Sequence, residues 1–182
     1  MSDALPFWPV KPIRGGKPFD GLYQKLASSS DWMCQAKING KRGIWDGHKL
    51  WSRSGELVTI EKARDVYAEL EGCPTVFDGE LLTSGTPGLR TDDGKALFLV
   101  FDLPDHPGTL DERVRDLTEI FSTEFNTSRN VRMCPMNVSW AEVEAFNWEG
   151  VVFKRRNSLY IKGRKGPGQE VPAWIKYRKE WL

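Results

Sequence analysis

Lys37 begins the run Lys37-Ile38-Asn39-Gly40-Lys41-Arg42, an amine followed by a turn dipeptide and two further cations. An amine is a nucleophile only once it has shed its proton. Desolvation between apolar neighbours and the charges of Lys41 and Arg42 both press that way, and desolvation is expected to dominate. Later come Phe77-Asp78-Gly79-Glu80-Leu81, Glu149-Gly150-Val151-Val152-Phe153-Lys154 and Trp174-Ile175-Lys176-Tyr177-Arg178. Strand alternation puts Asp78 and Glu80 on one face, and Lys176 and Arg178 on one face of their own strand. Two carboxylates on an otherwise apolar strand are costly unless they meet a metal, a cation or hydroxyl donors. A lysine at a strand tip, two glutamates and a late lysine are the parts a site needs to bond covalently to a phosphate. Singly, each segment also has a bland reading: Asn39-Gly40 makes a good type I′ turn whatever its function, and the acids suit a solvated edge strand.

The elements that must hold these residues are legible in outline. Residues 1–18, with Pro6, Pro9, Pro12, Gly15, Gly16 and Pro18, read as an irregular N-terminal arm, and a short helix is expected over 19–27. Strands are expected over 32–38, 41–45 and 49–53, separated by the hairpin dipeptides Asn39-Gly40 and Asp46-Gly47. Residues 60–70 read as a helix stopped by Gly72 and Pro74, and 75–82 and 96–103 as buried strands. Thr109 with Glu112 and Ser139 with Glu142 fit the capping box and start helices at 110–124 and 140–146. The last strands fall at 149–154 and 173–178, joined by a Gly/Pro/Lys-rich loop over 162–172. The sum is a single α+β domain over residues 1–182, built on antiparallel sheet.

The chain of 182 residues is 40% hydrophobic and 28% charged, which fits one large domain or two small ones with a sizeable core and does not favour disorder. Its net charge of +1 conceals an uneven spread. Residues 61–124 carry fifteen acids against six bases, whereas 154–182 carry nine bases against two acids and 1–60 carry nine against five. Basic ends around an acidic middle suggest a face for a polyanion. Three scattered cysteines make a zinc site or a disulfide framework a poor fit, and a reducing cytoplasm a good one. No apolar run approaches the ~20 residues of a membrane span, and the first ten residues lack a signal-peptide pattern.

In this order the four segments resemble the nucleotidyltransferase motifs of the covalent ligase and capping-enzyme superfamily, above all those of ATP-dependent DNA ligases. Trp51-Ser52-Arg53-Ser54-Gly55, Leu97-Phe98-Leu99-Val100-Phe101-Asp102-Leu103 and Ser158-Leu159-Tyr160-Ile161-Lys162-Gly163-Arg164 extend the likeness over about residues 32–178. The resemblance implies an antiparallel-sheet, ATP-grasp-like adenylation domain in a minimal form without the OB-fold domain that usually follows. Lys37 would attack the α-phosphate of ATP and carry AMP. Gln35 would read the adenine amino edge, with Phe101 and Val152 covering the base from either side. Glu80 would accept from the ribose hydroxyls, and Arg42 would hold the ribose and then the nick phosphate. Glu149, with Asp78, would bind Mg2+ or Mn2+, and Lys176 would neutralise the α-phosphate. Arg53, Lys154, Arg155, Arg156, Arg164, Lys165 and Arg178 would grip nucleic acid.

The implied reaction is sealing of 5′-phosphate/3′-hydroxyl nicks in duplex DNA, during repair or replication. It would be done by a monomer in the cytoplasm, or in the host cytoplasm if the source is a phage, away from membranes. Two departures from the family pattern bear on it. Asn39 stands where many DNA ligases have Asp, and Arg178 replaces the usual second lysine of the last motif. Alternatives of the same chemistry are an RNA ligase and a GTP-using capping enzyme. A nucleic-acid-binding adenylation subunit that needs a partner in trans is the reading from another class.

Overall fold

The computed structural model describes residues 4–83, 95–163, 166 and 168–181. In chain order the elements are β1 (Trp8–Pro9), β2 (Lys11–Arg14), α1 (Gly21–Ala27), β3 (Trp32–Lys37), β4 (Lys41–Trp45) and β5 (Leu50–Ser52). A 3-10 turn over Ile60–Lys62 leads into α2 (Arg64–Leu70), then β6 (Phe77–Leu82), β7 (Leu97–Asp102), α3 (Leu110–Thr123) and β8 (Val131–Met133). The chain continues with α4 (Trp140–Ala145), β9 (Gly150–Arg155), β10 (Lys162–Gly163) and β11 (Glu170–Arg178).

These strands form two main sheets, ordered β2-β11-β9-β3 and β5-β4-β6-β7-β8, beside a small β1-β10 pair. Pairing is antiparallel except for β2 with β11 and β7 with β8. The fold is therefore α+β on mainly antiparallel sheet, as the sequence implied.

Alternation decides what each sheet buries. In the four-stranded sheet Ala36, Val151, Phe153, Ile175 and Tyr177 cluster with Tyr23 and Leu26 of α1 and with Trp140 and Val143 of α4. Tyr23 sits edge-on to Phe153 at 5.3 Å and to Tyr177 at 5.2 Å. In the five-stranded sheet Phe77, Leu81, Phe98 and Val100 pack with Val66 and Leu70 of α2 and Leu117 of α3. Each such side chain stabilises by about 1.5–3 kcal/mol when fully buried. Both expected capping boxes form, Thr109 with Glu112 at α3 and Ser139 with Glu142 at α4.

The structure corrects two local expectations. Asn39-Gly40 is not a hairpin: β3 pairs with β9, and β4 pairs with β5 and β6. Neither Asn39 nor Gly40 has the positive φ that a type I′ turn requires. The segment instead crosses from one sheet to the other. Gly40 is needed there for its size, since a Cβ would lie 2.7 Å from the Leu81 carbonyl oxygen. Asp46-Gly47 does join a hairpin, with Gly47 at φ 96° and Asp46 Oδ1 accepting from the amides of His48 and Lys49.

The N-terminal arm is not irregular throughout. Its β2 adds in parallel to β11, and Val10 between β1 and β2 is fully buried. Proline-rich composition hid this, because two-residue and edge strands lose little by lacking an amide. Likewise β11 starts at Glu170, and Lys162–Gly163 pairs with Trp8–Pro9.

Candidate active site

The crossover at residues 38–40 opens a cleft of about 850 Å3 where the two sheets meet. Register builds one wall of it. Gln35, Val152 and Lys176 are partners across β3, β9 and β11, and Lys37, Gly150 and Arg178 are partners in the next row. Arg42 and Glu80, partnered on β4 and β6, line the cleft from the other sheet together with Phe101.

Lys37 forms a short ion pair through Nζ with Glu149 Oε2. The Glu149 amide donates to the Lys37 carbonyl at 2.9 Å, so backbone and side chain together fix the pair. Gly150, next in sequence, lets β9 approach β11 closely, because a Cβ there would fall 2.0 Å from the Tyr177 carbonyl oxygen. Arg178 Nε lies 2.7 Å from Glu149 Oε1. The partner facing Lys37 is thus a carboxylate, while Lys41 is exposed and Arg42 is engaged elsewhere. A carboxylate partner for Lys37 differs from the simple desolvation between apolar neighbours that the sequence suggested.

Glu80 accepts from the Gly40 amide at 3.0 Å. Burial pushes its carboxyl up; Lys37, Arg42 and the Gly40 amide pull it back, and it settles at about 7. Lys176 is pushed below the ordinary lysine range by burial and by the neighbouring charges of Arg178, Lys37 and Lys11.

Arg42 is less available than its motif suggested. Its Nε donates to Asp78 Oδ1 at 2.7 Å, Nη2 pairs with Asp78 Oδ2, and Nη1 donates to the Val10 carbonyl at 2.5 Å. Burial opposes the charge, but Asp78 more than compensates and holds the guanidinium above its usual range. Tyr160 donates to Asp78 Oδ2 at 2.6 Å. Asp78 is fully buried with both oxygens taken, so it is a positioning group for Arg42 and not the partner of Glu149 in a metal site.

Lys154 also departs from expectation. It is buried, with Nζ 3.2 Å from Asp102 Oδ2 and 3.3 Å from the Phe101 carbonyl oxygen. The same ammonium lies 4.6 Å from the Phe101 ring centre and 4.2 Å from that of Trp174, within cation–π range. It therefore cannot grip a nucleic-acid backbone; it faces inward because residues 150–155 are a strand, which sends Lys154 and Arg155 to opposite faces. Arg113 completes this cluster through Asp102, which Lys154 and Arg113 hold below the usual carboxylate range despite its burial.

The remaining basic candidates divide. Arg53 is exposed at the cleft and Arg155 is exposed, whereas Arg156 pairs with Asp111 at 2.8 Å. Arg164 and Lys165 lie outside the described residues. Gln35 and Phe101 share one contact: Gln35 Nε2 donates to the Phe101 carbonyl at 3.4 Å.

Four contributors escaped the sequence reading. Trp174 shares a face with Lys176 and Arg178, which alternation alone could have shown. Tyr160 lies between the exposed Leu159 and Ile161, and nothing local marks its hydroxyl as a donor to Asp78. Lys11 and Pro12 line the cleft because β2 joins β11, a long-range pairing without a local signal.

No protein-family profile matches the sequence. The chain is 31% identical over 194 residues to the multifunctional non-homologous end joining DNA repair protein LigD of Mycobacterium tuberculosis, a match covering 90% of this chain and 24% of LigD. The chain thus spans about a quarter of that relative. The crystal structure of the ligase domain from M. tuberculosis LigD superposes with a TM-score of 0.69 at 24% identity, covering 94% of this chain and 59% of that one. A mycobacterial DNA ligase D complexed with ATP and MES superposes with a TM-score of 0.64 at 25% identity, covering 95% and 60%.

Proposed function

We propose, from the premise that this chain is a homologue of DNA ligases with the fold of their adenylation domain, that it seals nicks in duplex DNA through a lysyl-AMP intermediate. One observation carries the reading. Lys37 stands at the crossover between the sheets, on the same cleft wall as Gln35, Val152 and Lys176, with Phe101 and Glu80 facing in from the other sheet.

In this reading ATP enters with its base against Phe101 and Val152, near Gln35, and its ribose toward Glu80. Lys37 leaves Glu149, gives up a proton and attacks the α-phosphorus. The N–P bond forms as the bond to the β-phosphate oxygen breaks, and pyrophosphate departs. Lys176 offsets the charge that builds on the α-phosphate, an electrostatic contribution realised in the transition state. AMP then passes to a 5′-phosphate, and attack by the neighbouring 3′-hydroxyl joins the ends and releases AMP.

Among the described residues no three carboxylate, imidazole or thiol groups converge on one point. A divalent ion would then be carried mainly by phosphate oxygens, with Glu149 as its protein carboxylate once Lys37 has left Oε2. Mg2+ or Mn2+ so held would supply charge neutralisation on the phosphates. Among the described residues no helix is long and apolar enough to cross a membrane; a monomer acting on DNA in the cytoplasm is part of the proposal. The relative named for end joining in DNA repair supports a repair role over replication.

Intact mass after incubation with ATP and Mg2+ tests the first step, followed by a chase with nicked DNA, nicked RNA or a hybrid. One added adenylate on Lys37, lost on the DNA chase and absent in Lys37→Ala, is expected. An adenylate on another residue would sink the mechanism, and discharge only on RNA would make this an RNA ligase.

A further inference from the structure

Phe146 is the most exposed large apolar residue described, at 60%, and it does not lie loose. Its ring stacks on Trp148 with centres 5.1 Å apart and planes within 23°. Trp148 in turn packs on the main core, and its amide donates to the Val143 carbonyl at 2.9 Å. Phe146 thus rests on Trp148 while most of its surface stays in solvent. Between the two rings Asn147 takes a left-handed φ of 52°, and Lys179 Nζ donates to its Oδ1 at 2.5 Å. This is the left-handed cap that ends α4: the Asn147 amide donates to the Glu144 carbonyl at 3.2 Å and the Trp148 amide to the Val143 carbonyl at 2.9 Å, and Asn tolerates the position.

The position of this platform is informative. Trp148 immediately precedes Glu149, the partner of Lys37, and Lys179 lies between Arg178 and Glu180, all three of the residues Glu149, Arg178 and Glu180 lining the cleft. The open aromatic face lies next to Lys179, whose side chain reaches Asn147 and whose amide donates to the Glu149 carbonyl at 2.8 Å, and an aromatic face beside a lysine has the chemistry of a nucleic-acid stacking surface. Bases offer a π-face of any sequence, and cations alongside meet the phosphates.

We propose that the Phe146–Trp148 stack receives the base at the broken end of a nucleic-acid strand, with the Lys179 ammonium exchanging its bond to Asn147 for the adjoining phosphate. This rests on the ligase reading for the identity of the strand break, but not for the binding itself. The platform would present the break to AMP on Lys37 and favour an end whose outer base is uncovered over an intact duplex.

The test uses the full chain with Phe146→Ala and Phe146→Trp. Three readouts are taken: adenylate capture by intact mass, anisotropy of labelled nicked duplex, and fluorescence of 2-aminopurine placed beside the 5′-phosphate. Phe146 is exposed, so both variants should fold. Expected for Phe146→Ala is unchanged adenylate capture, nicked-duplex affinity weakened about tenfold or more, and loss of the 2-aminopurine response, all restored in Phe146→Trp. Unchanged affinity would overturn the proposal, as would a parallel fall in adenylate capture, which marks a structural role. A shift in oligomeric state with no change in DNA binding would also overturn it, by making the platform a protein interface. If the wild type captures no adenylate, the ligase reading fails; the anisotropy comparison still decides the platform.

Discussion

Asp78 and Asp102 are direct partners across the β6–β7 pairing, both fully buried. Opposed like charges on paired strands repel, and the pairing survives because each carboxylate has its own cations. Arg42 takes Asp78, while Arg113 and Lys154 take Asp102. The floor of the cleft is therefore a charge cluster under an aromatic layer of Phe101, Trp174 and Tyr160, with Trp174 edge-on to both other rings. Its groups position the cleft's surface without needing to touch a ligand.

Removing one member should show how interdependent the cluster is. Asp102→Ala strands two buried cations, and breaking a buried pair in this way costs about 3–5 kcal/mol. Lys154→Met leaves Asp102 paired with Arg113 and should cost clearly less. Urea unfolding of the two variants checks the order; equal losses would mean that Asp102 does not organise the cluster.

Arg42→Lys keeps the charge but cannot reach both Asp78 oxygens and the Val10 carbonyl at once. A loss of about 1.5–3 kcal/mol is expected from charge-assisted bonds, read by thermal unfolding. The N-terminal strand should also loosen, giving faster amide exchange in residues 8–14. A variant as stable as wild type would show that the three contacts are dispensable.

Glu80 makes stability depend on pH in an uncommon direction. Its carboxyl rises from about 4.5 to about 7 on folding, so between these values the folded chain holds more protons than the unfolded one. Stability should then fall as pH rises from about 4.5 to 7, by on the order of 3 kcal/mol from this group. Glu80→Gln should flatten that slope, gaining on wild type at pH 8 more than at pH 4. Parallel pH profiles of the two proteins would refute the assignment.

Salt dependence separates the basic residues. Arg155 is exposed, so Arg155→Ala should lower the slope of log affinity for nicked DNA against log salt by about 0.9. Arg156 is tied to Asp111 at the start of α3, and Arg156→Ala should leave that slope nearly intact. Anisotropy titrations at several salt concentrations distinguish them; a larger slope change for Arg156 would reverse the two roles.

What the sequence determined by itself was the set of reactive groups and their neighbours along each strand. Alternation alone placed Lys176 with Arg178 and Asp78 with Glu80, and the hydroxyl–carboxylate spacings at Thr109 and Ser139 alone started two helices. These signals are local, set by backbone period and by bonds between residues three apart. What only the tertiary structure decided was pairing over distance. Asn39-Gly40 has the same local chemistry whether it turns a hairpin or crosses between sheets, and the choice shows only in the pairing of β3 with β9 and of β4 with β5 and β6. Lys154 looked like one of three surface cations until Asp102, fifty-two residues earlier, drew its charge inward. Arg42 lost its freedom to a carboxylate on another strand and to a carbonyl of the N-terminal arm. Charges of one sign look alike in sequence; burial and the partner across the fold decide which remain free to bind and which are spent holding the site in shape.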